Sequence, residues 1–264
     1  MRVLPGHSFT EQLDIPLLLV ILFFLFFLGL VYYLRGEDKR EGYPLESDRT
    51  LGTGGRMKVV GFPPIPAPKV FRLMHGGTVM APRPEPAREL AAFSAYEFPG
   101  SPIMPSGDPL VDGIGPASYA LKSDTPDLTV DGSLKLTPLR NHPHYRLEET
   151  GIDPIGMRVV TRDGFDVGTV ADVWINAHEY FPRYLEIDAN VESGGRRVLA
   201  PFAFANIRKG LGIVRFGQLT RSQFSRIPPL ASADQITMRE EDRLNGYFAG
   251  GAFYDGSPTE DALS

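Results

Sequence analysis

The chain has 264 residues, 42% of them hydrophobic and 22% charged, with a formal net charge of −5. That length holds one ordinary globular domain, a membrane anchor and a long connecting segment, and excludes a multi-span transporter. The absence of cysteine excludes disulfides, Cys-based zinc sites and thiol nucleophiles, and no basic stretch with interleaved aromatics supports a nucleic-acid partner.

Residues 1–14 are mixed, and residues 15–34 then form an unbroken apolar run without a charge, followed at once by Arg35, Glu37, Asp38, Lys39 and Arg40. At about 1.5 Å rise per residue the run makes roughly 30 Å of helix, the thickness of a bilayer's hydrocarbon core, so a single transmembrane helix is expected. A secretory signal peptide has a shorter apolar core and a small-residue cleavage site; this run ends in Val31, Tyr32, Tyr33 and Leu34. Pro16 falls in the first turn, where a missing N–H costs nothing. Tyr32 and Tyr33 suit the headgroup level, and Arg35, Lys39 and Arg40 both set topology and sit where anionic headgroups would lie. Cations dominate the C-terminal flank, which predicts a cytoplasmic main domain and an N-terminus on the outside.

Residues 35–105 are dense in proline, which forbids long helices and favours extended backbone. Yet they carry Val59, Val60, Phe62, Val70, Phe71, Leu73, Phe93, Tyr96 and Phe98, which a solvated tether would lack. The expectation is a segment draped over partner surfaces, with independent folding as the alternative. Residues 106–150 read as a connection packed on the following domain.

From 151 to 235 the pattern changes to short alternating runs. Strands are expected at 157–161, 168–175, 184–188, 197–201, 205–208 and 213–216, separated by turns at 162–164, 193–195 and 210–212. The spacing fits a small antiparallel barrel with Val159, Val170, Val173, Leu185, Ile187, Val198, Ile207 and Val214 as its core. In the final stretch, 236–264, Thr237 and Glu240 form a capping-box pattern that opens a helix from Arg239 to about Tyr247, stopping at Gly250 and Gly251. The fold class is thus mainly β with one transmembrane α-helix, an extended Pro-rich segment and a short C-terminal helix.

No nucleophile elbow, phosphate loop, dinucleotide fingerprint or metalloprotease motif occurs. Several unusual strings do: Arg40-Glu41-Gly42-Tyr43-Pro44-Leu45-Glu46 after the span; Phe71-Arg72-Leu73-Met74-His75-Gly76-Gly77-Thr78-Val79; Gly107-Asp108-Pro109-Leu110-Val111-Asp112-Gly113-Ile114-Gly115-Pro116-Ala117-Ser118-Tyr119; and late in the chain Glu240-Glu241-Asp242-Arg243 with Tyr247-Phe248-Ala249-Gly250-Gly251. In order and wording these strings resemble the H subunit of the purple-bacterial (type II) photosynthetic reaction centre, with its PRC-type barrel. The resemblance implies an accessory subunit of a bacterial inner membrane, with its N-terminus in the periplasm, that is no catalyst and binds no cofactor alone. It caps the L and M subunits, which hold bacteriochlorophyll, bacteriopheophytin, quinones and non-haem iron, with membrane lipids, a cytochrome subunit and a light-harvesting antenna as further neighbours. Tyr43, Pro44, Asp108, Pro109, Gly115 and Pro116 then belong to subunit interfaces.

The resemblance further implies a role in delivering protons to the secondary quinone. Its relay position, just past the Trp strand, matches Glu179, with Arg183 four residues on; read from the residues alone, these two are a solvated pair on a loop. Asp131, Asp172, His178, His142 and His144 complete the candidate relay set. Two departures are visible. A relay Asp of relatives is Asn176 here, and the Asp-Gly-His-x-His string of some relatives is Asp131-Gly132-Ser133-Leu134-Lys135, which keeps only the carboxylate, so protons must be collected differently. His142 and His144 could supply imidazoles, and metal binding by that pair is the competing reading; for His75 a structural, hydrogen-bonded role is favoured. Two other functions compete: a membrane-tethered PRC-barrel adaptor of another assembly, and an anchored hydrolase using Glu179 or Asp172 with His178.

Overall fold

The computed structural model describes residues 14–51, 55–83, 88–98, 100–147, 151–189 and 195–254. The chain divides into two compact units, residues 1–85 and 86–264.

The first unit begins with α1 (Ile15–Glu37), capped by the Asp14 carboxylate, which accepts the Leu17 N–H at 3.2 Å. No residue of α1 is buried by its own chain. A core helix of a soluble protein would hide one face; this helix leaves its whole apolar surface free, as a span requires. A 3-10 turn over Asp38–Arg40 ends it. The extended backbone expected for the Pro-rich segment is present, organised as hairpins: β1 (Leu45–Leu51) pairs with β2 (Gly55–Val59), and β3 (Lys69–Arg72) with β4 (Thr78–Ala81). The string around His75 is the β3–β4 turn, where Gly76 and Gly77 take φ of +91° and +83° and Leu73 and Gly77 close the loop at 3.1 Å. Val70, Phe71, Leu73 and Met74 remain exposed.

The second unit opens with another hairpin, β5 (Ala92–Ser94) with β6 (Ile103–Pro105), followed by the short α2 (Pro109–Asp112). Its body is a curled sheet of β7 (Leu136–Pro138), β8 (Arg158–Thr161), β9 (Asp166–Asn176), β10 (Phe181–Ala189), β11 (Arg196–Pro201), β12 (Ala205–Arg208) and β13 (Ile213–Phe216). The order is β11-β10-β9-β8-β13-β12, and β7 adds to the far end of β9. The six strands expected for the PRC-type barrel are all present, and every expected core residue is buried except Ile207, which packs half-buried on the core. One pairing departs from the antiparallel pattern: β13 runs parallel to β8, with Ile213 opposite Arg158. Of the 193–195 turn, only Gly195 lies within the described residues.

After the short α3 (Arg221–Phe224), α4 (Met238–Gly251) carries the expected capping box, with Thr237 Oγ accepting the Glu240 N–H at 3.1 Å and Glu240 accepting the Thr237 N–H at 2.8 Å. The helix runs a turn beyond Tyr247 and stops, as expected, at Gly251, so Gly250 lies inside it. The cause is tertiary. A Cβ on Gly250 would stand 2.6 Å from Ala117 Cβ, and one on Gly246 2.8 Å from the Ser118 carbonyl. These glycines are the small face on which α4 lies against the 115–117 turn, and packing overrides their weak helix propensity.

Candidate functional site

The β9–β10 turn is shaped by the side chain of Asn176. Asn176 is 2% exposed, and its Oδ1 accepts the backbone N–H of His178 at 3.1 Å and of Glu179 at 3.3 Å. A neutral amide oxygen performs this task as a carboxylate would, so the turn keeps its form without a titrating group. The turn presents His178, Glu179 and Tyr180 outward, all exposed, with Tyr180 in the left-handed region at φ +52°.

His178 Nε2 lies 3.7 Å from Asp131 Oδ1. The retained surface carboxylate and an imidazole from a distant part of the sequence therefore share one place. The Asp131 carboxyl is held below its ordinary pKa by the Thr129 hydroxyl that donates to it and by its own backbone N–H, with His178 contributing further. Next to it Lys135 pairs with Asp127 at 3.0 Å, which raises the lysine's pKa. Glu179 and Arg183 do not form the expected ion pair: Arg183 is the extra residue of a bulge between Pro182 and Tyr184 and faces solvent. His142 is committed elsewhere, its Nε2 2.5 Å from Thr137 Oγ1 and its ring edge-on to Tyr145, while His144 is exposed. The His-x-His string thus does not present two converging imidazoles. Among the described residues, no three Asp, Glu or His side chains converge as a metal site.

Asp172 belongs to a different constellation. At about 3.3 Å per residue, it lies some 13 Å up β9 from Asn176. It is buried and accepts from Arg140 Nη1 at 3.0 Å. The same Nη1 donates to Glu186 Oε2 at 2.6 Å, and Arg140 Nη2 reaches Asp234 at 2.8 Å. Glu186, 2% exposed, also accepts from the Trp174 indole at 2.8 Å and from Arg197 Nη1 at 2.8 Å, and Arg197 continues to Asp188 at 3.1 Å. Burial works against the Arg140 charge, but the hydrogen bonds it donates to Glu186 and Asp234 more than offset it, and its pKa is raised. With its carboxylate taken up by arginine, Asp172 is not assembled with His178, so the Asp172 version of the hydrolase grouping is not formed. Arg140, Glu186 and Arg197 were missed from sequence: the Arg140–Glu186 contact spans 46 positions, and no local spacing signals it.

In the first unit the cations after the span are turned inward. Lys39 and Arg40 are 7% and 9% exposed. Lys39 Nζ donates to the carbonyls of Val60 at 2.6 Å and Pro63 at 2.5 Å, and lies 5.4 Å over the Tyr43 ring. Arg40 donates to the carbonyls of Ala67 at 2.8 Å and Ala81 at 2.9 Å and clasps Glu37 with Nε and Nη2. Glu37 also receives Lys69 at 2.8 Å. The expectation that Lys39 and Arg40 meet lipid headgroups is corrected here, since carbonyls and Glu37 occupy their donors. Arg35 is exposed, as are Tyr32 and Tyr33, with Lys69 5.4 Å over the Tyr33 ring. Pro44 follows a cis peptide bond.

In the second unit, Asp108 caps α2 by accepting the Leu110 N–H at 3.0 Å and pairs with Arg226, and Pro109 fills the first helical position. Gly115 takes φ +59° where a side chain would collide with the Tyr254 hydroxyl, and Pro116 is exposed in the same turn. These residues therefore have internal duties, while Gly115 and Pro116 also keep a free outer surface.

Comparison with known families agrees with this architecture. Residues 148–219 match the PRC-barrel domain, the region built of β8 to β13. Residues 7–141, more than half of the chain, match the photosynthetic reaction centre H-chain N-terminal region, which takes in the apolar helix, both hairpins of the first unit and the strings around His75 and Asp108. Members of that family are accessory subunits of a complex and not catalysts. The chain belongs to the photosynthetic reaction-centre H-chain family, as a membrane-anchored subunit with a PRC-barrel domain.

Proposed function

We propose that this H chain caps the cytoplasmic face of the L and M subunits, stabilises their complex, and helps bring protons to the secondary quinone that they hold. The pigments, quinones and iron belong to those partners in this reading, and the cation excess after the span supports placing the second unit on the cytoplasmic side. A quinone reduced by two electrons takes up two protons, and a pocket dry enough to hold it admits little free water. Titratable side chains must then carry protons inward.

The observation that carries the reading is the meeting of Asp131 and His178 on the turn that bears Glu179. A carboxylate held ionised attracts protons at the surface, and an imidazole beside it can accept one and pass it on at physiological pH. Glu179 is the next side chain along the same turn. Chains with two histidines after the aspartate would collect protons there; here a single imidazole arrives from another strand.

The test is flash-induced proton uptake in the assembled complex. Glu179→Gln is expected to slow the uptake that accompanies the second electron, and His178→Ala to slow it most at low buffer concentration. Unchanged kinetics in Glu179→Gln at neutral pH would remove Glu179 from the path.

A further inference from the structure

The loop that follows β2 places an aromatic ring where a soluble segment has no use for one. Phe62 is 84% exposed, yet its ring centroid lies 5.6 Å from that of Tyr32 on α1. Tyr32 precedes the end of the apolar run by two residues, so it sits about 3 Å inside that end at helical rise. A ring in contact with Tyr32 shares its depth.

The position is fixed by the chain itself. Lys39 Nζ donates to the carbonyls of Val60 and Pro63, one on each side of Phe62. Gly61 at φ +67° permits the turn between them, and Pro63 is buried behind it. The lysine thus holds both ends of the loop at the helix terminus and leaves the phenyl ring directed outward. The exposed face of Phe62 adjoins the apolar surface of α1, none of which the chain buries.

We infer that Phe62 is a second membrane contact, seated with Tyr32 in the boundary between headgroups and acyl chains of the bilayer. The occupant of this surface is lipid. A phenyl ring at that depth gains apolar burial without desolvating any polar atom, and the clasp that presents it uses Lys39, a cation that sequence alone assigns to the lipid.

The inference rests on α1 spanning the membrane, and the experiment separates the two claims. The chain has no native cysteine, so single cysteines at Phe23, Asp38, Phe62 and Pro64 can carry nitroxide labels in the reaction-centre complex reconstituted into phospholipid vesicles, with the cysteines of the partner subunits controlled by the unsubstituted complex. Collision rates are then measured with oxygen, which partitions into lipid, and with a water-soluble nickel chelate. The Phe23 label reports the span. The Phe62 label is expected to give an oxygen-to-nickel ratio between those of Phe23 and Asp38, at least severalfold above Asp38, and the Pro64 label a lower ratio than Phe62. A Phe62 label as accessible to nickel as Asp38 would place the loop in water and overturn the inference. A label shielded from both relaxants would show a protein partner on this surface and overturn it equally. If Phe23 itself behaves as a water-exposed site, it is the spanning helix that fails.

Discussion

The indole N–H of Trp174 donates to the Glu186 carboxylate at 2.8 Å, in a place where neither residue is more than 2% exposed. Two arginines complete the shell of Glu186, and Arg140 ties it to Asp172 and Asp234. Breaking a buried charged group away from its partner is far costlier than never having installed the pair. Arg140→Met removes the shared cation and leaves two buried carboxylates side by side. We expect a loss of about 3–5 kcal/mol, measured by urea denaturation of the full chain in detergent. Trp174, the sole tryptophan, is a built-in reporter of the transition. An unchanged midpoint would show that water replaces the guanidinium.

Gly250→Ala is expected to destabilise the second unit by about 1–3 kcal/mol, although alanine is the better helix former by about 1 kcal/mol. The new Cβ meets Ala117 backbone atoms at 2.9 Å, and backbone cannot swing aside as a flexible side chain could. Gly217→Ala is the matching control, since no heavy atom lies within 4 Å of its Cβ position. Thermal unfolding of the two variants should separate them clearly.

Asp131 offers a pH signature with a definite sign. Its folded pKa is depressed below the ordinary 3.8, first by the Thr129 hydroxyl and then by its own backbone N–H. Its contribution is therefore complete above the ordinary carboxylate range and is lost as pH falls through the lower folded value. Thr129→Val should raise the Asp131 midpoint toward 3.8 and flatten the acid limb of the stability profile. Carbon-13 titration of the Asp131 carboxyl measures the shift, and His178→Ala should move it less.

Lys39→Met takes the ammonium donor from the Val60 and Pro63 carbonyls. Leaving partly buried acceptors unpaired costs about 1–3 kcal/mol each at most, and the 60–63 loop should lose its anchorage to the helix end. Limited proteolysis of the full chain in detergent is expected to cut near Gly61 faster in this variant, while cleavage in the second unit stays unchanged.

What could be read from the residues alone follows their physical range. The span was legible because burial in lipid demands an apolar side chain at every position of 15–34. The strands of the barrel were legible because short apolar, β-branched runs between turn residues mark them, and Val159, Val170, Val173 and Leu185 are all buried; the bulge between Val170 and Asp172, which breaks period two in β9, was not legible. Lys39 and Arg40 were misread because their partners are backbone carbonyls, which every residue possesses, so sequence carries no mark of them. Arg140 and Glu186 were invisible for a related reason, as their pairing depends on how strands stack rather than on neighbouring positions. The stop at Gly250 and Gly251 was legible, whereas the close approach of Ala117 to Gly250 was not, because a glycine carries no mark of what lies against it. The proposed relay was legible in part: the turn position of Glu179 was foreseen, whereas the approach of His178 to Asp131 emerges only in three dimensions.

The parallel pairing of β8 with β13 has a consequence for biosynthesis. Ile213 meets Arg158 only after every intervening strand has been made, so the pairing that joins the β12–β13 hairpin to the rest of the sheet is among the last contacts available to a growing chain. The apolar helix has emerged long before that moment. A chain anchored by that helix as it emerges would complete its sheet while already tethered at the lipid surface.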